Sequence, residues 1–415
     1  MKEIPLSVPN LNIEIADNLR ECVETGWVST GGAFISEFEN KIAAYIGAGA
    51  GCAVGCQSGT AGLHTALRLL GVGAGDIVIC PTLTFIAAVN PVRYMEAEPV
   101  FIGCGDDLCM DPAELGRYLR EGCRRESPSG AVTDIATGRP VRAIVVVHVF
   151  GVIADMERIM DIASEYGIPV LEDATEAMGS FVRGGRYDGR HAGMMGDIGV
   201  FSFNANKIIT TGGGGMIVSA GGGAAEGGAF ESSGCGDAGG SACEIRAKNY
   251  LDRARYLTTT AKDDGLYFAH GEVGYNYRML NLQAALGVSQ IGEIEKFIEI
   301  KRRNFELYRE LLADAHGISM LPAPKGQRWN HWFYSLYATG DGTRDRLMDA
   351  LISSGIQCRP VWKLVHTQKP YEGFRAFGIE RDIDYEKHIL NLPCSSSLTE
   401  DDVRYVCGKI LEHVR

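Results

Sequence analysis

Residues 196–207 read Gly-Asp-Ile-Gly-Val-Phe-Ser-Phe-Asn-Ala-Asn-Lys, and Thr210, Thr211 and four glycines at 212–215 follow. The pattern predicts a short apolar strand that contains Ser202. Lys207 follows five residues later, in a turn formed by residues with small side chains. A lysine amine forms a Schiff base with an aldehyde when its pKa is lowered and its position is fixed. Pyridoxal phosphate is the aldehyde cofactor that most commonly uses a protein lysine in this way. A single lysine is usually a solvated surface charge, so the surrounding sequence must support this interpretation.

Length and composition restrict the class of protein. The chain has 415 residues, enough for two or three domains, and its 46% hydrophobic and 22% charged residues are typical of a globular protein. The net charge of −12 argues against nucleic acid or an anionic membrane as the main partner. We find no signal-peptide pattern and no stretch apolar enough to span a bilayer, and therefore expect a cytoplasmic protein. The 12 cysteines form no Cys-x-x-Cys pair, so no metal site is predicted.

Short apolar runs alternate with helix-like stretches between about residues 50 and 220. The segment from Asp155 to Tyr166 is typical of a helix that Gly167 closes. The predicted strands are Ile77–Cys80, Ala143–Val147, Pro169–Asp173, Val200–Phe203 and Met216–Val218. Continuously apolar strands separated by helices indicate an α/β core, in which helices cover both faces of a mainly parallel sheet.

The C-terminal third has a different pattern. We predict one long helix from Asn281 to about Leu312, strands at 332–337 and 356–361, and a closing helix at 401–414. The predicted division is an N-terminal segment (1–30), a large α/β domain (31–290), and a linking helix with a smaller α+β C-terminal domain (291–415). The Gly/Ser-rich residues 220–241 are predicted to form a flexible inserted loop. A G-x-G-x-x-G match inside them, starting at Gly234, follows no strand and is interpreted as chance.

Two motifs fit the needs of an anionic cofactor with a ring nitrogen. Ser58-Gly59-Thr60 directly precedes the helical run Ala61–Leu70, and a helix N-terminus with small hydroxyl residues can bind a phosphate. The alternative is an ordinary helix cap. Asp173 ends a buried strand, where ligands of open α/β sheets bind, and could keep a ring nitrogen protonated. The alternative is that Asp173 caps a helix beginning at Ala174.

Two further residues suit the same cofactor. Phe85 follows the strand Ile77–Cys80, so its ring could stack on a pyridine ring, although most such phenylalanines belong to the core. Ser202 could add a hydrogen bond to the phosphate, although a buried serine usually bonds to backbone.

In order and spacing, these pieces resemble the nucleotide-sugar aminotransferases of the DegT/DnrJ/StrS type, which depend on pyridoxal phosphate. These enzymes have the aspartate-aminotransferase fold (fold type I). The resembling segments are 26–31, 58–61, 81–85, 172–174, 196–215, 274–278 and 281–285. They cover most of the chain, and the Lys207 segment is highly specific.

The resemblance implies a role for each candidate residue. Lys207 would bind the cofactor's aldehyde and shuttle a proton, while Asp173 would pair with the ring nitrogen. Phe85 would stack on the ring, and the phosphate would be held by Ser58, Gly59, Thr60 and Ser202. Asn276 would reach the phosphate of the neighbouring subunit, because family active sites are shared in a homodimer.

One position departs from the family pattern. Glu176 stands where many members carry Gln or His beside the phenolic oxygen of the cofactor. A carboxylate there would repel a phenolate unless it were protonated or turned away, so its role as a cofactor-binding residue is open.

The resemblance also implies the reaction. L-Glutamate would donate an amino group to the keto carbon, at C4, of a nucleotide-linked 4-keto-6-deoxy sugar. The segments 1–10, 258–264 and 274–278 look most like enzymes that aminate UDP-linked N-acetyl sugars for legionaminic acid or bacillosamine type pathways. The alternatives are another activity on the same fold, such as a sugar dehydratase or lyase, and a non-catalytic regulator.

Overall fold

The structure is a computed structural model that describes residues 3–13, 15–125, 130–219 and 242–414, with side chains from residue 248 onward in the last range. The glycine-rich segment 220–241, predicted as a flexible loop, lies outside the described residues.

The main sheet has eight strands. Their spatial order is Ala53–Cys56, Gly215–Val218, Ile198–Ser202, Val170–Asp173, Val141–Val147, Ile77–Pro81, Glu98–Ile102 and Ala376–Phe377. Gly215–Val218 runs antiparallel to both neighbours, whereas the other strand pairs of this sheet are parallel. Central strands such as Val170–Asp173 are buried at every position, as expected for a sheet covered on both faces. The predicted α/β class with a mainly parallel sheet is confirmed.

Helices surround this sheet and continue into the C-terminal part. The described α-helices are Ile15–Thr25, Ala33–Tyr45, Gly59–Leu69, Asn90–Tyr94, Pro112–Gly122, Met156–Tyr166, Ala242–Thr258, Asn281–Ile291, Ile294–Leu311, Thr343–Ser353, Glu380–His388 and Glu400–His413. The helix predicted before Gly167 is confirmed: the Asp155 side chain caps its N-terminus, and Gly167 ends it in the left-handed conformation (φ 67°).

Helix Gly59–Leu69 packs directly on the main sheet. The Ser58 hydroxyl accepts the Ala61 N–H and so caps the helix, which begins two residues before the predicted start. Gly62 lets the helix lie close to the strands, because a Cβ at this position would stand 2.7 Å from Val200 Cγ1. The close approach fixes the helix N-terminus beside the strand that ends at Ser202.

A second, smaller sheet is antiparallel, in the order Ile318–Met320, Tyr334–Ala338, Ile389–Leu392 and Arg359–Pro360. It confirms the smaller α+β part, but two predicted strands are shorter than expected. The strand predicted from Trp332 begins at Tyr334, and the Trp332 N–H donates to Asn330 Oδ1 instead of to a neighbouring strand. Of the run 356–361 only the edge pair Arg359–Pro360 joins this sheet, while Ile356 makes an isolated bridge with Ile4.

The single long helix predicted from Asn281 to Leu312 is wrong. Two helices occur instead, Asn281–Ile291 and Ile294–Leu311, with a break at Gly292 and Glu293. Glycine costs a helix interior about 1 kcal/mol relative to alanine, so Gly292 is a favourable position for the helix to end.

Candidate active site

A cavity of about 680 Å³ opens at the carboxyl ends of the main-sheet strands. Val147, Asp173 and Ser202 line it, and each is the last residue of its strand. Residues 332–333 and 359–363 beside the small sheet, together with Leu6 of the N-terminal segment, complete the wall. The cavity therefore lies where open α/β sheets bind ligands.

Lys207 points its amine into the interior of this cavity. Its Nζ lies 3.3 Å from Glu176 Oε1 and 4.1 Å from the centroid of the Trp332 ring. The Lys207 side chain is 13% exposed, so both contacts act on a largely desolvated ammonium group. A carboxylate and an aromatic face both favour the charged form of an amine.

The turn that carries Lys207 is held at one carbonyl. The Asn206 carbonyl oxygen accepts hydrogen bonds from the Ser7 hydroxyl (3.0 Å) and from Trp332 Nε1 (2.8 Å). On the other side of Lys207, the Gly214 N–H donates to the Gln57 carbonyl (2.8 Å), which joins the glycine run to the segment before Ser58. The glycines are needed there, because Gly214 adopts φ 111°.

Asp173 is 3% exposed, and its Oδ1 accepts the Thr175 N–H at 3.1 Å. Burial raises the pKa of the Asp173 carboxyl, whereas the hydrogen bond from Thr175 and the charge of Lys207 act in the opposite direction. The helix that would have made Asp173 a helix cap is not formed, because residues 174–180 are turns. The carboxylate therefore faces the cavity and caps only a local turn.

Glu176 is 5% exposed, and both of its oxygens have contacts. Oε2 accepts the Phe150 N–H at 2.8 Å, and Oε1 faces Lys207. Burial raises the pKa of the Glu176 carboxyl, and the positive charge of Lys207 opposes that shift. The sequence left the orientation of Glu176 open, and the structure turns the carboxylate towards the amine.

The N-terminus of helix Gly59–Leu69 forms a second wall of the cavity through Ser58, Gly59 and Thr60. The Ser58 hydroxyl accepts from Ala61, which leaves its hydrogen to donate, and first-turn N–H groups precede the intrahelical bonds. A Cβ at Gly59 would lie 2.9 Å from Ser202 Cβ, so only glycine keeps this corner open. A small cradle of N–H and hydroxyl donors at a helix N-terminus fits a phosphate group.

Other side chains of the cavity fit the ring and the aldehyde of the predicted cofactor. The buried carboxylate of Asp173 suits a protonated ring nitrogen, and the amine of Lys207 suits an aldehyde. Phe85 is 54% exposed and lines the same cavity, where its ring centroid lies 6.5 Å from that of Trp362. The residues present are therefore compatible with pyridoxal phosphate.

Eight of the nine predicted site residues line this cavity: Ser58, Gly59, Thr60, Phe85, Asp173, Glu176, Ser202 and Lys207. The alternatives given for Ser58 and Ser202 also hold, because Ser58 caps a helix and the Ser202 hydroxyl bonds to backbone, accepting the Asn204 N–H at 3.3 Å. Asn276 is exposed and outside the cavity, bridged to Thr259 instead. The individual roles remain predictions.

Sequence reasoning gave little weight to several cavity residues from the C-terminal third. These are Trp332, Phe333, Arg359, Trp362, Lys363 and Asn391. One of these groups could have been recognised from the sequence, because Arg359-Pro-Val-Trp-Lys363 combines two cations with an aromatic ring in five residues.

Two kinds of feature are absent from the described residues. No group of three or more His, Cys, Asp or Glu side chains is arranged to hold a metal ion there. Within the same ranges, no helix combines the length and apolarity that crossing a membrane requires.

Comparison with known proteins gives consistent results. The model of the DegT/DnrJ/EryC1/StrS aminotransferase family matches residues 9–411. EpsN of Bacillus subtilis (strain 168), named as a pyridoxal phosphate-dependent aminotransferase, is 32% identical over 99% of this chain and 95% of its own length. GDP-perosamine synthase of Escherichia coli O157:H7 is 31% identical over 99% of both chains. The aminotransferase TlmJ of Streptoalloteichus hindustanus superimposes with a TM-score of 0.83 at 25% identity, covering 99% of this chain and 98% of TlmJ.

Proposed function

The chain belongs to the DegT/DnrJ/EryC1/StrS aminotransferase family, and from that premise we propose that it transfers an amino group from L-glutamate to C4 of a nucleotide-linked 4-keto-6-deoxy sugar. Its class is that of the pyridoxal phosphate-dependent nucleotide-sugar aminotransferases. The observation that carries the proposal is the position of Lys207: a desolvated amine, 3.3 Å from a buried carboxylate, in a cavity at the strand ends.

Pyridoxal phosphate, when bound, supplies an aldehyde carbon that carries the amino group and a ring that withdraws electrons from it. The chain's own residues bind and orient that group. The donors at Ser58–Thr60 and Ser202 would hold the phosphate, and Phe85 would cover one face of the ring. Asp173 would accept a hydrogen bond from the ring nitrogen, and its charge would keep that nitrogen protonated. The Lys207 amine would hold and move the proton at the reacting carbon.

The cavity also suits an anionic, two-part substrate. Arg359 and Lys363 line it beside Trp362, and neither cation has an ion pair with a described residue. A diphosphate and the carboxylates of glutamate are both anions that such cations attract. We propose that these two residues contact the substrates rather than the cofactor.

We propose a homodimer with shared active sites. Asn276 is exposed and does not line the cavity of its own chain, and the neighbouring segment exposes large apolar side chains: Leu266, Tyr267, Phe268 and Val273 are 65–80% exposed. An exposed apolar segment beside a predicted partner-contacting residue is what a subunit interface requires. Sedimentation velocity on the purified protein tests the dimer, and a monomer at micromolar concentration would contradict it.

The decisive experiment supplies L-glutamate, pyridoxal phosphate and one 4-keto-6-deoxy nucleotide sugar at a time. UDP-linked N-acetyl and GDP-linked substrates are compared, because the sequence favours the first and a 31% identical relative is named for GDP-perosamine. We expect equal amounts of 2-oxoglutarate and amino sugar from one of them, measured by mass spectrometry. Sugar consumed without 2-oxoglutarate would favour the dehydratase or lyase alternative, and no reaction with any acceptor would reject the proposal.

A further inference from the structure

Two hydrogen bonds from other parts of the chain fix the position of Glu176. Its backbone carbonyl accepts a hydrogen bond from Asn330 Nδ2 at 2.7 Å, and its Oε2 accepts from the Phe150 N–H at 2.8 Å. Phe150 adopts a left-handed conformation (φ 54°), which aims its N–H at the carboxylate. With one oxygen fixed in this way, the other is directed at Lys207.

Glu176 Oε1 has one hydrogen-bond partner among the described residues. Glu176 Oε1 lies 3.3 Å from Lys207 Nζ, within reach of direct proton transfer. The charge of Lys207 lowers the pKa of the Glu176 carboxyl and that of Asp173 raises it, while the charge of Glu176 raises the pKa of the buried Cys109 thiol. The charge of His148 lowers the pKa of Asp173, and Arg359 and Lys363 line the same cavity. Lys207 is therefore the cation closest to this carboxylate.

Removing the charge of Lys207 makes the ionised form of Glu176 costly. Burial raises the pKa of the Glu176 carboxyl, and the positive charge of Lys207 is the largest influence that lowers it. When the amine becomes neutral, burial and the negative charge of Asp173 remain and favour a protonated Glu176, and only the hydrogen bond from the Phe150 N–H still opposes them, with burial the largest of the three influences. The proton that leaves the amine has an acceptor at hydrogen-bond distance.

We propose that Glu176 Oε1 takes a proton from the Lys207 ammonium group whenever Lys207 turns into a neutral amine, and returns it when the ammonium group re-forms. The transfer moves one proton and no electrons: an ammonium and a carboxylate become an amine and a carboxylic acid. The proposal rests on the proposed function in that an aminotransferase lysine must act as a neutral amine in every cycle. The proposed transfer would also let Glu176 lie beside an anionic oxygen of the cofactor without repulsion, because the carboxyl is neutral while it holds the proton.

The test measures the amine itself, in protein without cofactor. Lys207 is labelled with a trace of acetic anhydride over a range of pH, and the labelled peptide is quantified by mass spectrometry. Glu176→Gln keeps the size of the side chain and an oxygen that can accept from Phe150, but it removes the charge. We expect labelling of Lys207 near neutral pH to rise roughly tenfold in Glu176→Gln, because the lost negative charge no longer favours the ammonium form.

A matched control is Asp76→Asn, which removes one charge from a buried carboxylate at the opposite, amino end of the strand Ile77–Pro81. It should label like the unaltered protein. Equal labelling of Lys207 in Glu176→Gln and in the unaltered protein would overturn the proposal, and so would an equal increase in Asp76→Asn. Should Glu176→Gln fail to fold, Glu176→Asp withdraws the carboxylate by one carbon and should give intermediate labelling.

A second readout detects the proton on Glu176. Acetylating Lys207 makes its nitrogen neutral, so an isotope-edited infrared difference spectrum should gain a protonated-carboxyl band that Glu176→Gln lacks. A spectrum in which all carboxyl groups stay ionised would overturn the transfer. Both measurements use neither cofactor nor substrate, so they can succeed or fail independently of the aminotransferase assay.

Discussion

Replacing Lys207 with alanine should enlarge the loss of folding stability that accompanies rising pH, relative to the unaltered protein. The substitution removes the amine that lies 3.3 Å from the buried carboxylate of Glu176. Removing one partner of a buried ion pair costs about 3–5 kcal/mol when the remaining charge stays ionised. Burial raises the pKa of Glu176 in the folded state, so the variant reduces this cost by protonating the carboxyl at low pH.

The sign follows from proton binding. A carboxyl whose folded pKa lies above its unfolded value, about 4.3, binds a proton more strongly in the folded state. Its stabilisation is fully present below the unfolded pKa and is lost as pH rises through the folded pKa. Within that window the free energy of unfolding should fall by about 1.4 kcal/mol per pH unit. The ammonium group of Lys207 opposes this dependence in the unaltered protein.

The assay is urea unfolding without cofactor, from about pH 5 to about pH 8, followed by circular dichroism. The double variant Lys207→Ala/Glu176→Gln has no carboxyl at this position, so most of the slope should vanish. A slope that remains comes from other buried carboxyls whose pKa burial raises, namely Asp173, Asp107 and Asp382. Parallel curves for Lys207→Ala and the unaltered protein would refute the reasoning, because they would mean that Glu176 does not depend on the amine.

Three further predictions concern catalysis. Asp173→Asn should lower kcat at least 100-fold (about 2.7 kcal/mol), because an amide cannot keep a ring nitrogen protonated; turnover at the normal rate would reject the strand-end role. Trp332→Phe keeps an aromatic ring beside the Lys207 amine but loses the hydrogen bond from Trp332 Nε1 to the Asn206 carbonyl, which is worth about 1 kcal/mol. We therefore expect kcat to fall several-fold while KM stays nearly unchanged. Asn276→Ala and Lys207→Ala should each be inactive alone, and mixed dimers should regain activity if sites are shared; inactive mixed dimers would mean that Asn276 does not serve the site of a neighbouring subunit, and an active Asn276→Ala protein would place it outside catalysis.

Much of the main sheet could be predicted because it depends on local pattern. The strand Val170–Asp173 is a continuous apolar run that ends in a carboxylate, and buried parallel strands have that composition. The helix Met156–Tyr166 has its cap residue and its terminal glycine in the sequence. The candidate site followed from the same elements, because strand ends and helix N-termini meet at one edge of the sheet.

Other features depend on tertiary contacts that the local pattern does not encode. The strand expected from Trp332 begins two residues later, at Tyr334, and the Trp332 N–H donates to the Asn330 side chain, a contact that the sequence pattern does not show. The break at Gly292 was missed because the apolar spacing continues across it. The orientation of Glu176 depends on an N–H of Phe150, 26 residues earlier in the chain.

The N-terminal contacts have a consequence for the order in which the protein is completed during synthesis. Ser7 reaches the Asn206 carbonyl, Val8 donates to Ser395, and the Ile4 N–H donates to Gly355. Contacts that span 199–387 residues cannot form until half of the chain or more has left the ribosome. The turn before Lys207 also waits for Trp332, so the main-sheet strands between Ala53 and Val218 are made before the contacts that hold this turn. The reactive lysine is thus synthesised well before the residues that position it for capture of an aldehyde.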